Sequence, residues 1–335
     1  MKKLFDSNAL WLSMLIGALG YKLFLPLAPA LPWLIFFMLF FTFCKVNPLD
    51  LRLHKWHGVV LFAQIFLSLA AYAGVLALTR NKILAQGILM CFIMPTATAA
   101  PIIAGKLGGS IQNLTTFTLL SNFATAIIVP ATFPLITSPS LVGRVGVELS
   151  AFLPAFLLIL SRVAPLLLGP FLSAWLLRII YQRTKKQEFV LSKQAAQIPF
   201  YLWVASIIVL ASVVTKTVIA SYDTLLATML WLLIGSFFAC LIQFGLGKLI
   251  GYYLPAASKG NDYKDVLINP AAAPKTMEGV SSITAGQAFG QKNTSLGVWM
   301  ANTYLDPMAS LGAAAYIIWQ NIFNSVQLTI AAHKK

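Results

Sequence analysis

Charged residues are scarce in this chain, and acidic residues are scarcer still. Only 10% of the 335 residues are charged, and nine of them are Asp or Glu. A typical soluble domain carries about 25% charged residues. Hydrophobic residues make up 59% of the chain, and its mean hydropathy is +0.82. This composition excludes an ordinary soluble domain and predicts a membrane protein with several spans.

Cysteine is also rare, and the three cysteines lie in apolar segments, at Cys44, Cys91 and Cys240. None has metal-ligand spacing, so we expect neither a metal site nor a disulfide framework. The sequence contains no phosphate-binding loop, dinucleotide fingerprint, catalytic triad or haem signature. These absences argue against an enzyme and against a bound cofactor.

Ten apolar segments are candidates to cross a bilayer, which takes about 20 residues in a helix. Their approximate bounds are 8–25, 28–45, 57–79, 83–107, 111–137, 149–181, 195–220, 224–252, 276–302 and 307–331. The first carries no clear cleavage site, and we interpret it as a helix and not as a signal peptide.

The net charge of +15 follows the loops between these segments. Seventeen of the 24 Lys and Arg residues fall on the side of the N-terminus, and only four fall on the opposite side. Cytoplasmic loops are enriched in positive charge. The bias therefore predicts ten spans with both termini in the cytoplasm, and it explains the basic composition without nucleic acid as a partner.

The fourth and ninth spans are interrupted by polar or helix-breaking residues. The first interruption is PTATAAP at 95–101, and the second lies in GQAFGQKNT at 286–294. Two halves of five spans have opposite orientations, and each half carries its break in its fourth span. This pattern predicts two inverted repeats, 1–145 and 146–335, with a transporter site at the breaks.

Each break would leave a half-helix that starts at membrane depth. The free N–H groups and partial positive charge at such a start can hold a carboxylate or another anion. Pro101 fits the first turn of a half-helix, and Thr98 is placed like its N-cap. The alternative is that Pro95 and Pro101 only kink a structural helix.

Three motifs resemble the bile acid:sodium symporter family. They are MPTATAAPIIAGKLGG at the first break, QKNTSLGVWMAN at the second and IIWQNIFNS in the last span. The resemblance covers nearly the whole chain and implies an all-α fold in a bacterial inner membrane, in which discontinuous helices four and nine cross. It also implies a panel of spans one, two, six and seven, and a core of spans three to five and eight to ten.

The family's substrate-facing positions are largely kept. Thr98 and Asn293 fall where the family has a Thr and an Asn that anchor a small organic acid. The resemblance implies a substrate site of six residues: Thr98, Ala99, Asn293, Thr294, Gln320 and Asn321.

The family's sodium positions are not kept. A Ser–Asn pair of the family becomes Ala100 and Pro101, a helix-nine glutamate becomes Ala288, and a glutamine one turn later becomes Lys292. The ammonium of Lys292 would lie about where the sodium ion lies in the family. Four residues would then replace the ion site: Lys292, Gln64, Thr118 and Gln291.

Lys292 favours a transporter that is not coupled to sodium. A lysine at the bilayer centre costs about 2.5–3.5 kcal/mol on insertion scales, so it usually marks a functional site. We expect Gln64 to accept a hydrogen bond from this lysine. Proton coupling, uncoupled facilitation and exchange all stay open, and the alternative is a passive lysine that mimics sodium or extends to the surface.

Arg162 is a second cation inside a span. No acidic residue lies at the centre of any span, and the nearest are close to span ends, at Glu148, Asp223, Glu278 and Asp306. Two intramembrane cations without internal counter-charges favour an anionic substrate, so we add Arg162 to the substrate site. A structural pairing of Arg162 with Glu278 or with helix-end carbonyls is equally compatible.

These expectations converge on a secondary transporter of small organic anions that works by alternating access. The alternatives are a sodium-coupled symporter of bile acids or organic acids, and an anion receptor that binds without transport. An arsenite exporter would need a cysteine at the first break, and a cation–proton antiporter would need carboxylates inside its spans. The substrate stays open, from pantoate and keto acids to bile-acid-like amphipaths.

Overall fold

The computed structural model describes residues 2–137, 142–143, 146–147, 149–187, 189–192, 194–256 and 276–333. This part of the chain is almost entirely helical. Its one strand pair is a short antiparallel hairpin, Val142–Gly143 (β1) with Gly146–Val147 (β2). The predicted loops 138–148 and 255–274 lie largely outside the described residues.

The helices follow the apolar segments of the sequence. In chain order they are α1 (Lys2–Leu19), α2 (Tyr21–Phe24), α3 (Leu31–Phe43), α4 (Lys55–Thr79), α5 (Lys82–Ile93), α6 (Ala100–Lys106), α7 (Ile111–Thr137), α8 (Leu149–Lys185), α9 (Ile198–Tyr253), α10 (Met277–Gly290), α11 (Thr294–Tyr304) and α12 (Ser310–His333).

Within the described ranges, six stretches are long and apolar enough to cross a membrane. They are Tyr21–Phe43, Lys55–Thr79, Ile111–Thr137, Phe152–Lys185, Ala195–Tyr222 and Leu225–Tyr253. Large apolar side chains also face outward, among them Leu78, Leu23, Phe62 and Trp231. An outer surface of this kind requires a lipid environment. The chain is a multi-pass helical membrane protein, as the composition predicts, while the ten-span inverted repeat stays a prediction.

The seventh and eighth predicted spans correspond to Ala195–Tyr222 and Leu225–Tyr253. Helix α9 runs through both, from Ile198 to Tyr253, and is kinked at Leu225, with φ −127° and ψ 17°. The sequence predicts a short connection at 221–223, within a few residues of this kink. No proline or glycine lies between Ile219 and Leu230, so no helix-breaking residue marks the kink.

The described chain divides into two compact units. The first unit contains 1–48, 126–227 and 295–310, and the second contains 49–125, 228–294 and 311–335. In the first unit α3 packs on α8, where the rings of Phe43 and Phe171 meet edge to face at 5.8 Å. The predicted repeats, panel and core stay predictions.

The second unit is built around a fully buried apolar cluster. Trp56 and Val60 of α4 meet Leu114 and Phe117 of α7 there. Small residues complete the cluster, from α6 and from α10: Ala100, Ala104, Ala285 and Ala288. Because their side chains are small, two short helices can lie close to longer ones. This cluster supports the segments at which both short helix pairs are interrupted.

Candidate functional site

Two helices stop and restart inside their predicted spans. Helix α5 ends at Ile93 and α6 begins at Ala100, while α10 ends at Gly290 and α11 begins at Thr294. Proline accounts for the first interruption, because Pro95 cannot donate a backbone hydrogen bond. Pro101 lies in the first turn of α6, as the sequence predicts. We call residues 94–99 and 291–293 the crossover.

The two interrupted segments hydrogen-bond to each other. The Ala97 N–H donates to the Gln291 carbonyl at 3.0 Å, and the Asn293 N–H donates to the Pro95 carbonyl at 2.8 Å. Thr96 and Lys292 form an isolated antiparallel bridge between them. Each break therefore supplies hydrogen-bond partners that the other lost when its helix ended. Buried backbone groups need such partners.

Side chains cap the carboxyl end of α5. The Gln64 amide nitrogen donates to the carbonyls of Ile93 and Met94, at 3.2 and 3.0 Å. The Gln64 carbonyl oxygen accepts from the Ser121 hydroxyl at 3.2 Å, and Ser121 accepts from the Thr96 N–H at 3.1 Å. One glutamine of α4 thus connects the end of α5 to α7 and to the crossover.

The carboxyl end of α10 is capped in the same way. The Thr96 hydroxyl donates to the Ala288 carbonyl at 2.6 Å. The Tyr316 hydroxyl donates to the Gly290 carbonyl at 2.9 Å and accepts from the Gln243 amide at 3.1 Å. Both helix ends that carry partial negative charge are therefore satisfied by protein groups.

A chain of amides runs from the second break into α12. The Gln320 carbonyl oxygen accepts from the Lys292 N–H at 2.9 Å. The Gln291 amide donates to the Gln287 carbonyl oxygen, and it donates to the Asn324 carbonyl oxygen at 3.3 Å. Gln291 and Gln320, both predicted at the site, are therefore part of its hydrogen-bonded framework.

The Lys292 side chain is buried near one aromatic ring and two cysteine thiols. It is 1% exposed, and its ammonium nitrogen forms no hydrogen bond with any described residue. The nitrogen lies 5.0 Å from the centroid of the Phe289 ring, which gives a cation–π contact. It interacts electrostatically with Cys91 and Cys240. This is an isolated buried ammonium, which is costly and therefore informative.

The predicted hydrogen bond from Lys292 to Gln64 is wrong. The amide nitrogen of Gln64 is committed to the end of α5, and its carbonyl oxygen already accepts from Ser121. Gln64 is buried at the crossover, as expected, but its role there is to cap a helix.

The predicted N-cap is also wrong by one residue. Helix α6 has Ala99 at its N-cap, with no side-chain hydrogen bond, and Thr98 lies in the turn before it. The Ala100 N–H donates to the Ala97 carbonyl at 3.1 Å, so Thr98 lies inside a turn and not at the start of the helix. The amino end of α6 consequently has no side chain bonded to it.

The other predicted residues differ in their surroundings. Asn293 and Thr294 are buried, Thr98 is half-buried and Ala99 is exposed. The side chain of Asn321 donates to the Ile317 carbonyl of its own helix, and that of Thr118 donates to the Leu114 carbonyl of its own helix. Neither hydrogen bond is to the crossover.

Arg162 belongs to the first unit, and its side chain is exposed on α8. The crossover lies wholly in the second unit. The assignment of Arg162 to a substrate site therefore stays a prediction. The side chains of Glu148 and Asp223 lie outside the described residues, so they do not bear on its pairing.

Several residues of the framework were not predicted from the sequence. They are Thr96, Gln243, Tyr316 and Asn324. Each is a polar residue inside a long apolar helix or break, which is the signal that could have identified them. Their partners are main-chain carbonyls and amides from distant segments, and sequence spacing does not reveal these.

The fold and the site together define a multi-pass helical membrane protein with a buried crossing of two interrupted segments. No protein-family model matches the chain, and no curated protein matches it.

Thr96→Val should destabilise the crossover without changing its shape. The substitution removes the 2.6 Å hydrogen bond to the Ala288 carbonyl and leaves that buried group without its donor. Hydrogen bonds between membrane helices contribute about 0.6–1.7 kcal/mol each, so we expect a loss of about 1 kcal/mol. The melting temperature in detergent, measured by scanning fluorimetry, should fall by a few degrees. Thr115→Val is the control, because Thr115 donates only to Ile111 of its own helix, and an equal loss in both variants would contradict the prediction.

Proposed function

We propose that this protein is a secondary transporter of small organic anions, that it works by alternating access, and that it is not coupled to sodium. The observation that carries the proposal is the crossover, where Lys292 brings an unpaired ammonium to the meeting point of two interrupted segments. Interrupted helices at membrane depth are tolerated where they are buried in protein or line a cavity, and paired breaks are typical of transporter sites.

The polarity of the crossover supports an anionic substrate. The carboxyl ends of α5 and α10 are capped by the side chains of Gln64, Thr96 and Tyr316. A cation would be attracted to these carboxyl ends, and their carbonyls are already hydrogen-bonded to protein groups. The amine of Lys292, when protonated, adds a full positive charge.

The same residues argue against sodium as the coupling ion. A hard cation needs several oxygen ligands, and carboxylates among them supply the compensating charge. Ala288 is fully buried in the apolar cluster and offers no side-chain oxygen. Lys292 would place a second positive charge beside the ion. The resemblance to the bile acid:sodium symporter family is thus proposed for the architecture and not for sodium coupling.

A binding screen tests the substrate class. Potassium pantoate, potassium pyruvate and potassium cholate are added to the detergent-solubilised protein, and the melting temperature is measured for the native chain and for Asn293→Ala. We expect one of the anions to raise the melting temperature of the native protein, and the rise to be lost in Asn293→Ala. Asn302→Ala on α11 is the control and should keep it. A rise that is unchanged in Asn293→Ala would remove this residue from the site.

Uptake into proteoliposomes tests transport and coupling. The anion that binds is supplied with an inward sodium gradient or with an equal potassium gradient. Equal initial rates are expected, because no sodium site is proposed. Strong sodium dependence would support the sodium-coupled alternative. Binding without flux under both gradients would indicate a receptor.

A further inference from the structure

Lys292 sits in a pocket of groups that do not balance its charge. Two titratable residues interact with it, Cys91 on α5 and Cys240 on α9, and Tyr316 on α12 interacts with both of these thiols. Phe289 of α10 contributes only its ring, at 5.0 Å from the ammonium nitrogen. The described residues provide no carboxylate that hydrogen-bonds to this nitrogen.

Two of these titratable neighbours are held in their protonated forms. The Cys91 thiol donates to the Gly87 carbonyl at 3.3 Å, and the Tyr316 hydroxyl donates to the Gly290 carbonyl at 2.9 Å. Cys240 interacts through its side chain with the Tyr316 hydroxyl. A group that donates its proton to a carbonyl remains neutral, so Cys91 and Tyr316 do not act as counter-ions for the ammonium.

An anion bound at the crossover would change this balance. Burial without a counter-charge disfavours an ammonium, whereas an anion nearby favours it. Linkage between two ligands is reciprocal. If the anion favours protonation of Lys292, protonation favours the anion by the same factor. The main chain of Lys292 is already part of the crossover, through its bridge to Thr96 and its bond to Gln320.

We infer that a proton is the coupling ion of this transporter and that the amine of Lys292 carries it. This inference rests on the proposed function. The anion and the proton bind together, and a monocarboxylate then crosses with no net charge. After the anion leaves, the ammonium releases its proton to water on the same side, and the site returns with a neutral amine. The proton on the Lys292 amine thus replaces sodium as the coupling ion.

Calorimetry on the native protein in detergent gives the first test. Binding of the anion that raised the melting temperature, among potassium pantoate, pyruvate and cholate, is measured in two buffers with different ionisation heats. The difference gives the number of protons taken up per anion bound. We expect a value that approaches one between neutral and mildly alkaline pH, and affinity that weakens as pH rises, by up to about tenfold per pH unit.

Proteoliposomes that contain a pH-sensitive dye give the second test. An acidic exterior should accelerate uptake of the same anion and acidify the interior, beyond the values in protein-free liposomes. Lys292→Met keeps the length of the side chain and removes the amine, so it should bind the anion more weakly and without proton uptake, and it should lose the response to the pH gradient. Lys248→Met, a lysine near the carboxyl end of α9, is the control and should behave as the native protein.

The outcomes separate the two proposals. If the native protein binds and exchanges the anion, takes up no protons and ignores the pH gradient, the proton inference is overturned and the transporter stands. If none of the three anions binds or exchanges, the proposed function fails and the inference with it. If Lys292→Met does not fold, as judged by gel filtration, the proton count of the native protein still decides.

Discussion

The double substitution Gly247→Ala/Gly251→Ala should abolish the recovery of folded protein. The two glycines are four residues apart on α9 and face α10. A Cβ at Gly251 would lie 2.2 Å from the Ser281 carbonyl oxygen, and one at Gly247 would lie 2.5 Å from the Ala285 carbonyl oxygen. Both obstacles are backbone atoms, so no side-chain rotation relieves them. The small residues set the distance at which α9 supports the broken helix.

The size of this effect follows from the cost of overpacking. Inserting a methyl group into a closely packed contact typically costs about 1–3 kcal/mol, and a backbone obstacle places both positions at the upper end. The measurement is the yield of monodisperse protein from gel filtration in detergent, with the melting temperature where protein is recovered. Gly245→Ala on the same helix is the control, because a Cβ there meets no atom within 4 Å.

The control should change stability in the opposite direction. Alanine is favoured over glycine in a helix by about 1 kcal/mol, so Gly245→Ala should melt at a slightly higher temperature than the native protein. A double variant that folds with native yield and stability would show that α9 and α10 do not approach as closely as described.

Gln64→Leu is expected to have the second largest effect. The substitution removes both donations to the end of α5 and leaves the Ser121 hydroxyl without its acceptor. At about 0.6–1.7 kcal/mol for each of these three interhelical hydrogen bonds, the loss should reach roughly 2–5 kcal/mol. Because Ser121 also holds the Thr96 N–H, the crossover itself should loosen, and any stabilisation by a bound anion should shrink with it.

Scanning fluorimetry with and without potassium pantoate, pyruvate and cholate measures both consequences. The matched control is Ser68→Ala, because Ser68 is fully buried on the same helix and donates only to the Ile65 carbonyl of that helix. Its free energy of unfolding should lie within about 1 kcal/mol of that of the native protein. Gln64→Leu with the same stability as Ser68→Ala would mean that the end of α5 does not depend on this cap.

The sequence predicts where the two helices break, because the signals are local. Pro95 removes a backbone donor, and the polar run that includes Gln291, Lys292 and Asn293 interrupts an apolar span. The class of protein follows equally directly from composition. The sequence also predicts a break between the seventh and eighth spans at 221–223, close to the kink at Leu225, although no proline or glycine marks it.

The contacts of the site were harder to predict than its location. Gln64, expected to accept from Lys292, has both ends of its amide occupied by other partners. A sequence shows that a buried amide needs hydrogen-bond partners. It does not show which of several carbonyl groups at the same depth will be those partners. The N-cap was shifted from Thr98 to Ala99 by a single turn hydrogen bond. The types of side chain limit the chemistry of a site, whereas the path of the backbone determines which groups form hydrogen bonds with each other.

The bridge between Thr96 and Lys292 also constrains how the chain is made. The hydroxyl of Thr96 finds its acceptor at Ala288, 192 residues further along. At about 5–20 residues per second, the ribosome needs roughly 10–40 seconds to supply that partner. During this interval Gln64 and Ser121, which are already synthesised or soon follow, can hold the end of α5 and the Thr96 N–H. Residues 291–293 can pack only against residues 94–99, which are synthesised much earlier. Folding of the crossover is therefore complete only after the second segment has been made.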